Sequence, residues 1–308
     1  MNYYSNGKLL LTGEYLVLDG AKSLALPTKF GQNLTVEKIK EPQLIWGSFT
    51  HSGECWFEAV FDLPKLRLVN CAFKSNKEGS AEVIAETLLS VLQEAKRVNP
   101  NFLNSENGFV VKTNLTFPRN WGLGSSSTLI NSIASWAKVD AFQLLWNSFK
   151  GSGYDIACAQ NNTPIFYKIK GAKPVVENVV FNPIFKEQLF FVHLNHKQDS
   201  KEGIAKFRKS SVSFQKEITA ISSISDAFLK ATSIIDFNKL IVEHEHIVSS
   251  IINLKPVKEN LFSDYFGEVK SLGAWGGDFA MVTGNDETPA YFKKKGFDTL
   301  LQYSEMIL

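Results

Sequence analysis

Apolar and polar positions change period several times along the chain, and each change marks an element. Val83, Ile84, Leu88, Val91, Leu92 and Ala95 recur at helical spacing. Ser80 supplies an N-cap ahead of them, Glu82 a negative charge in the first turn, and Asn99-Pro100 a stop. Lys8–Thr12 and Tyr15–Leu18 read as two strands around a turn, with a further turn at Asp19-Gly20. Leu34–Ile39 alternates apolar with polar, Leu44–Phe61 is an irregular β region with aromatics, and Phe109–Leu115 is a strand. Pro118–Ser127 is a loop. Leu129, Ile130, Ile133, Ala134 and Ala137 mark a helix directly after it, and Asp140 caps another that runs to about Phe149.

The second half predicts strands at Pro164–Ile169 and Leu189–Leu194, with a loop at Gly171–Pro174. Helices are expected at Lys201–Lys209, Phe214–Ala231, Phe237–Ile252 and Pro289–Lys295. Glu268–Leu272 and Phe279–Thr283 read as paired strands around a Gly-rich turn. Strands and helices mix without strict βαβ alternation. That makes the class α+β, in two lobes meeting near residues 160–185.

Composition narrows the function classes. The chain has 308 residues, with 33 Lys+Arg against 31 Asp+Glu, a formal net charge of +2. That balance gives no global electrostatic reason to bind nucleic acid or an anionic membrane. At 44% hydrophobic and 21% charged residues the profile is globular. Cys55, Cys71 and Cys158 are widely spaced and odd in number, which argues against a disulfide framework or a Cys-based zinc site. The N-terminus lacks a basic region followed by an apolar stretch, and no segment approaches the roughly 18 apolar residues of a membrane span. A cytoplasmic protein acting on a small molecule is the expectation, with neither nucleic acid nor membrane as partner and a homodimer left open.

Four segments carry candidate chemistry. Gly122, Leu123, Gly124, Ser125, Ser126 and Ser127 lie between a strand and a helix. Two glycines let the backbone approach a ligand, and the helix that follows aims its free N–H groups at the loop, as a phosphate cradle requires. A plain Gly turn with a Ser cap reads equally well. The stretch is not a Walker loop, since Ser125 stands where that pattern has Lys. Gly151-Ser152-Gly153-Tyr154-Asp155 places a carboxylate after a flexible turn, suited to orienting a hydroxyl or, more simply, to capping a helix. Gly273-Ala274-Trp275-Gly276-Gly277-Asp278 joins a carboxylate and an indole in one loop. Gly7-Lys8 through Gly13-Glu14 puts one cation at the head of an apolar strand. His244-Glu245-His246 is not H-E-x-x-H, because Val248 stands at the last position, and residues two apart on a helix face different sides.

In this order the four segments resemble the GHMP kinase superfamily. Its members carry G-K-x-x-x-x-G-E (here Gly7-Lys8 to Gly13-Glu14), P-x-x-x-G-L-G-S-S (Pro118 to Ser126), S-G-x-D (Ser152 to Asp155) and a late Gly-rich loop (Gly273 to Gly277). The match runs from residue 7 to 278. Gly13-Glu14-Tyr15 and the Gly-Gly-Asp ending look most like phosphomevalonate kinase, and Gly153-Tyr154-Asp155-Ile156-Ala157 looks like the signature of the GYDIA group.

The resemblance implies an N-terminal lobe like ribosomal protein S5 domain 2 (residues 1–165, ATP-binding) and a ferredoxin-like C-terminal lobe (166–308). It implies ATP and Mg²⁺ as cofactors, phosphates on Gly122–Ser127, Ser126 as a metal ligand, and Asp155 and Lys8 as catalytic residues. Glu14, Gly273, Trp275, Gly276 and Asp278 would face the substrate. Lys197 and Ser200 would join them from the end of the strand Leu189–Leu194, although a solvated turn is the more ordinary reading of that segment. Two positions depart from the pattern. Leu144 stands eleven residues before Asp155, where mevalonate kinase has a Mg²⁺-binding Glu. Trp275 replaces a glycine, and an indole is expected to leave the positive-φ path and to form a wall against the substrate. The activity implied is transfer of the γ-phosphoryl group of ATP to a hydroxyl or phosphate acceptor, with a mevalonate-pathway acid favoured. A non-catalytic ATP and metabolite binder and a diphosphomevalonate decarboxylase-like enzyme are the alternatives.

Overall fold

The computed structural model describes residues 1–73, 80–104, 106–196, 204, 207–208 and 214–308. The chain forms two compact units, each discontinuous in sequence. The first holds Met1–Gly7, Phe30–Arg119 and Leu123–Gln160. The second holds Lys8–Lys29, Asn120–Gly122 and Asn161–Leu308. No single cut along the chain separates them, because the N-terminal strands pass from one unit into the other.

The first unit is built on β1 (Asn2–Leu10), β2 (Ser23–Ile39), β3 (Gln43–Phe49), β4 (Cys55–Asp62), β5 (Arg67–Phe73) and β6 (Gly108–Leu115). Its strands run in the order β5-β4-β3-β6-β2, with β1 paired to β2. β3 and β6 are parallel, while β2 and β6 pair antiparallel over Gln32–Ile39. The helix Ala81–Val98 forms as its periodicity requires. It buries Ala85, Leu88, Val91, Leu92 and Ala95 along one stripe against Leu34, Val36, Leu44, Trp46 and Phe61. Each fully buried Leu or Val there contributes roughly 1.5–3 kcal/mol. Asp140 accepts from the Gln143 amide at 2.8 Å and so caps the helix Ala141–Ser148 as expected.

In the second unit, residues 23–25 of β2 pair with β7 (Ile165–Lys170), and β7 pairs with β8 (Lys173–Asn178). A separate four-stranded antiparallel sheet has β9 (Leu189–His193), β10 (Val269–Ser271), β11 (Phe279–Thr283) and β12 (Leu300–Gln302) in the order β10-β11-β9-β12. The predicted pairing around the late Gly-rich turn is present, with Val269 opposite Val282 and Ser271 opposite Ala280. The helices Gln215–Lys230, Ile234–Ile252 and Thr288–Lys294 complete the unit, and Phe190, Val192, Phe262, Val282 and Phe292 form a core on this sheet. The class is α+β, as expected.

Several elements differ from expectation. Tyr15–Leu18 is no strand. Tyr15 adopts φ 65°, and Leu16–Asp19 then turns as a short 3₁₀ helix closed by the left-handed Gly20. Its Leu and Val are buried, and a buried turn shows the same composition as a buried strand. β1 begins six residues before Lys8, since Asn2, Ser5 and Asn6 hide it from an apolar count. β5 and β8 went unpredicted because both are edge strands, with little burial to impose alternation. Most of the expected helix Lys201–Lys209 lies outside the described residues.

Candidate functional site

In the second unit, Lys8 donates from Nζ to the Gly122 carbonyl at 2.9 Å. Gly122 has φ 68°, and a Cβ built there would stand 2.1 Å from the carboxyl carbon of Asp278. Only glycine fits. Asp278 itself is fixed by its backbone. Its N–H donates to the His196 carbonyl at 2.7 Å, and its carbonyl accepts from the Leu194 N–H at 2.8 Å.

In the first unit the loop becomes a helix. Gly124, at φ 89°, caps Ser125–Ala137, and no side chain caps that end. The first intrahelical bond runs from the Thr128 amide to the Gly124 carbonyl at 3.0 Å. The amides ahead of it have no acceptor within the helix and carry the positive end of its dipole. Leu123 is fully buried and anchors the turn, while Ser126 is exposed. Ser127 donates from Oγ to Oδ2 of Asp155, and the Ile156 amide donates to Oδ1 at 3.2 Å. Asp155 lies in the first turn of the helix Tyr154–Gln160, behind Gly153 at φ 90°.

Glu14 departs from its expected place. It is 1% exposed, with Oε1 at 2.8 Å from Lys270 Nζ and Oε2 at 3.2 Å from His244 Nε2. A carboxylate sealed in this way does not present itself to a substrate, so it is better described as part of a buried ion cluster. Glu245 Oε1 lies 3.6 Å from Lys270 Nζ, and Ser271 Oγ donates to Glu245 Oε2 at 2.7 Å. The Gly13 N–H donates to His244 Nε2 at 3.1 Å, which leaves the proton of a neutral ring on Nδ1. Glu14 Oε2, His244 Nδ1 and Glu245 Oε1 are buried without hydrogen-bond partners among the described residues. Burial alone would raise the Glu14 carboxyl, but the charge of Lys270 outweighs it and holds it below the usual carboxylate range. Burial, then the Lys270 charge, lowers His244. Burial pushes Glu245 up to about 7 against the pull of Lys270. His246 is exposed, on another side of the helix from His244.

Trp275 also differs. It is 2% exposed and takes φ 51°, so the indole does follow the positive-φ path. The left-handed region costs a non-glycine residue about 1–2 kcal/mol, which the surrounding burial can offset. A buried indole is not an open wall for a substrate. Gly273 and Gly276, at φ 62° and 83°, shape the loop around it, and Tyr15 donates from its hydroxyl to the Ala274 carbonyl at 3.0 Å. Lys197 and Ser200 lie outside the described residues. Leu144 is fully buried in the core of the first unit. Among the described residues no group of three or more His, Cys, Asp or Glu is placed to hold a metal ion, and no helix is long and apolar enough to cross a membrane.

Sequence reasoning missed Lys270 and His244 as partners of Glu14, and Glu245 as a second carboxylate beside them. One signal was available: Lys270 is the one charged residue within Val269–Ser271, a strand whose three residues are all buried.

The comparison with solved structures bears on the fold. The chain is similar to Methanococcus jannaschii mevalonate kinase, at 16% identity and TM-score 0.69, covering 98% of this chain and 96% of that one. It is similar to Streptococcus pneumoniae phosphomevalonate kinase in complex with phosphomevalonate and AMPPNP, at 14% identity and TM-score 0.68, covering 98% and 99%. It is also similar to Lactococcus lactis galactokinase complexed with galactose, at 12% identity and TM-score 0.63, covering 96% and 88%. No family model and no curated protein matches the sequence. The fold is therefore that of the GHMP kinase superfamily, to which these structural neighbours belong.

Proposed function

We propose that this chain is an ATP-dependent small-molecule kinase that transfers the γ-phosphoryl group to a hydroxyl or phosphate acceptor, with mevalonate or phosphomevalonate favoured. The observation that carries this reading is Ser127 joined to Asp155 at the start of a helix whose amides no side chain caps. Phosphoryl transfer asks a protein mainly for alignment and charge neutralisation. The amides of Gly124–Ser127 would hold the phosphate oxygens. Lys8, kept beside Gly122, would offset charge on the moving group. Asp155, oriented by the Ser127 hydroxyl and the Ile156 amide, would direct the acceptor and take the proton of an alcohol.

The hydroxyl of Ser126 and the carboxylate of Asp155 are oxygen donors suited to Mg²⁺, which accepts few protein ligands alongside water and phosphate oxygens. That ion would supply charge neutralisation on the β- and γ-phosphates.

The test is ADP formation with Mg·ATP against mevalonate, phosphomevalonate, homoserine and sugars. Turnover that depends on one acceptor supports the kinase. One observation favours a second reading. Leu144 fills the position of the metal-binding Glu with a buried apolar side chain, as a non-catalytic nucleotide and metabolite binder would allow. Nucleotide binding with no acceptor-dependent ADP formation would select that reading, and CO₂ release would select a decarboxylase.

A further inference from the structure

The residues that lead into the Gly-rich loop are gripped at several points within the second unit. His193, the last residue of β9, is 3% exposed. Its Nδ1 accepts from the Asn195 amide at 3.3 Å. A nitrogen that accepts carries no proton, so in the neutral ring the proton sits on Nε2. Nε2 lies 3.1 Å from the Asn120 carbonyl and donates to it. Asn195 can offer its amide in this way because it turns left-handed, at φ 56°. The neighbouring Trp121 packs edge-on against Phe279 at 5.3 Å between ring centroids, and Phe279 packs on His193 at 5.2 Å. Gly122 follows, wedged against Asp278 and bonded through its carbonyl to Lys8.

We propose that His193 is a positioning residue for the Gly-rich loop. It fixes one end of Asn120–Gly122, so that the backbone enters Leu123 and Gly124 already set for phosphate. Neither a charge nor a nucleophile is needed for this. The ring serves as a spacer with an acceptor on one side and a donor on the other. The inference deepens the kinase reading and rests on it for its functional half.

Two variants separate the hydrogen bond from the packing. His193→Phe keeps an aromatic ring for Trp121 and Phe279 but loses both nitrogens. His193→Gln carries an amide N–H that reaches about as far as Nε2. Backbone exchange of the peptide spanning Asn120–Leu123 is measured without nucleotide, together with the affinity for Mg·AMPPNP and the melting temperature. The loss of one such hydrogen bond corresponds to about tenfold. His193→Phe is expected to speed exchange in that peptide and weaken AMPPNP about tenfold, with little change in melting temperature. His193→Gln should restore both. Unchanged exchange in His193→Phe overturns the clamp. Faster exchange with unchanged AMPPNP affinity overturns its role in phosphate binding. Equal impairment of both variants assigns the effect to packing and also overturns it. A wild-type protein that binds no AMPPNP removes the kinase reading and the functional half together, while the exchange result still decides whether the clamp exists. A general collapse of melting temperature in both variants marks His193 as a core residue only and contradicts the proposal.

Discussion

Two regions of this molecule gather acids and bases, and they do so for opposite ends. Around Gly124–Ser126 the polar groups remain at least partly accessible. Within the first unit Ser126 is exposed, Asp155 is half-buried, and the helix start is left uncapped by side chains. Around Glu14 the groups are sealed, with Glu14, His244 and Lys270 at 0–1% exposure and Glu245 at 4%. The first arrangement leaves hydrogen-bonding capacity open to solvent. The second uses most of it internally and leaves a few atoms without partners. Buried charges raise what is at stake in folding, while accessible ones can be lost with little effect on stability. Substitutions in the two regions should therefore separate stability from turnover.

The largest effect is expected in the sealed cluster. Lys270→Met leaves Glu14 ionised and unpaired, which should cost about 3–5 kcal/mol of unfolding free energy, read by denaturant titration. A loss below about 1 kcal/mol would show that the cluster is more hydrated than its burial indicates. In the open region Asp155→Asn should leave the melting temperature nearly unchanged. It should lower turnover on an alcohol acceptor on the order of 10²-fold or more. A phosphate acceptor has a second pKa of about 6 and is already nucleophilic near neutrality, so its transfer should fall only modestly. Full activity of Asp155→Asn on every acceptor would remove that residue from the mechanism.

Stability should also depend on pH through Glu245. Its carboxyl is raised from 4.5 in the unfolded chain to about 7 in the fold, chiefly by burial. The folded state then holds the proton more tightly. Stability from this group is complete below the unfolded value and is lost as pH rises from 4.5 to about 7, by an amount of the order of 3 kcal/mol. His244 acts in the opposite sense, because a lowered imidazole gives stability above its unfolded value that is lost as pH falls. The Glu245 contribution is therefore read as the difference between wild type and Glu245→Gln across pH 4.5–8. The variant should gain relative to wild type as pH rises. The smallest effect is expected for Ser126→Ala, with no change in melting temperature and a Mg²⁺ requirement shifted a few-fold upward in the activity assay.

The open region was the more legible of the two in the sequence. Gly122, Gly124 and the serine run announce a loop that must bend backward and then start a helix, and each does so through its own backbone dihedrals. Local chemistry suffices for that. The sealed cluster depends on residues 14, 244, 245 and 270, which only the fold brings together. Glu14 in the sequence carries no sign of whether its partner will be a substrate or a buried lysine. The same holds for His193, whose spacing within an apolar strand says nothing of Asn120. Trp275 was misjudged for another reason: a steric preference of about 1–2 kcal/mol was treated as a prohibition. Among the elements, the helix Ala81–Val98 was readable because one face must be buried, and edge strand β8 was not because almost nothing along it must be.

The most direct test is a titration of the amide resonances of Gly124, Ser125, Ser126 and Ser127 with Mg·AMPPNP. Large saturable shifts at these four N–H groups, absent when Mg·AMPPNP is replaced by adenosine alone, are the result predicted for a polyphosphate seated on the start of the helix Ser125–Ala137. Saturable binding that leaves all four resonances in place would contradict it.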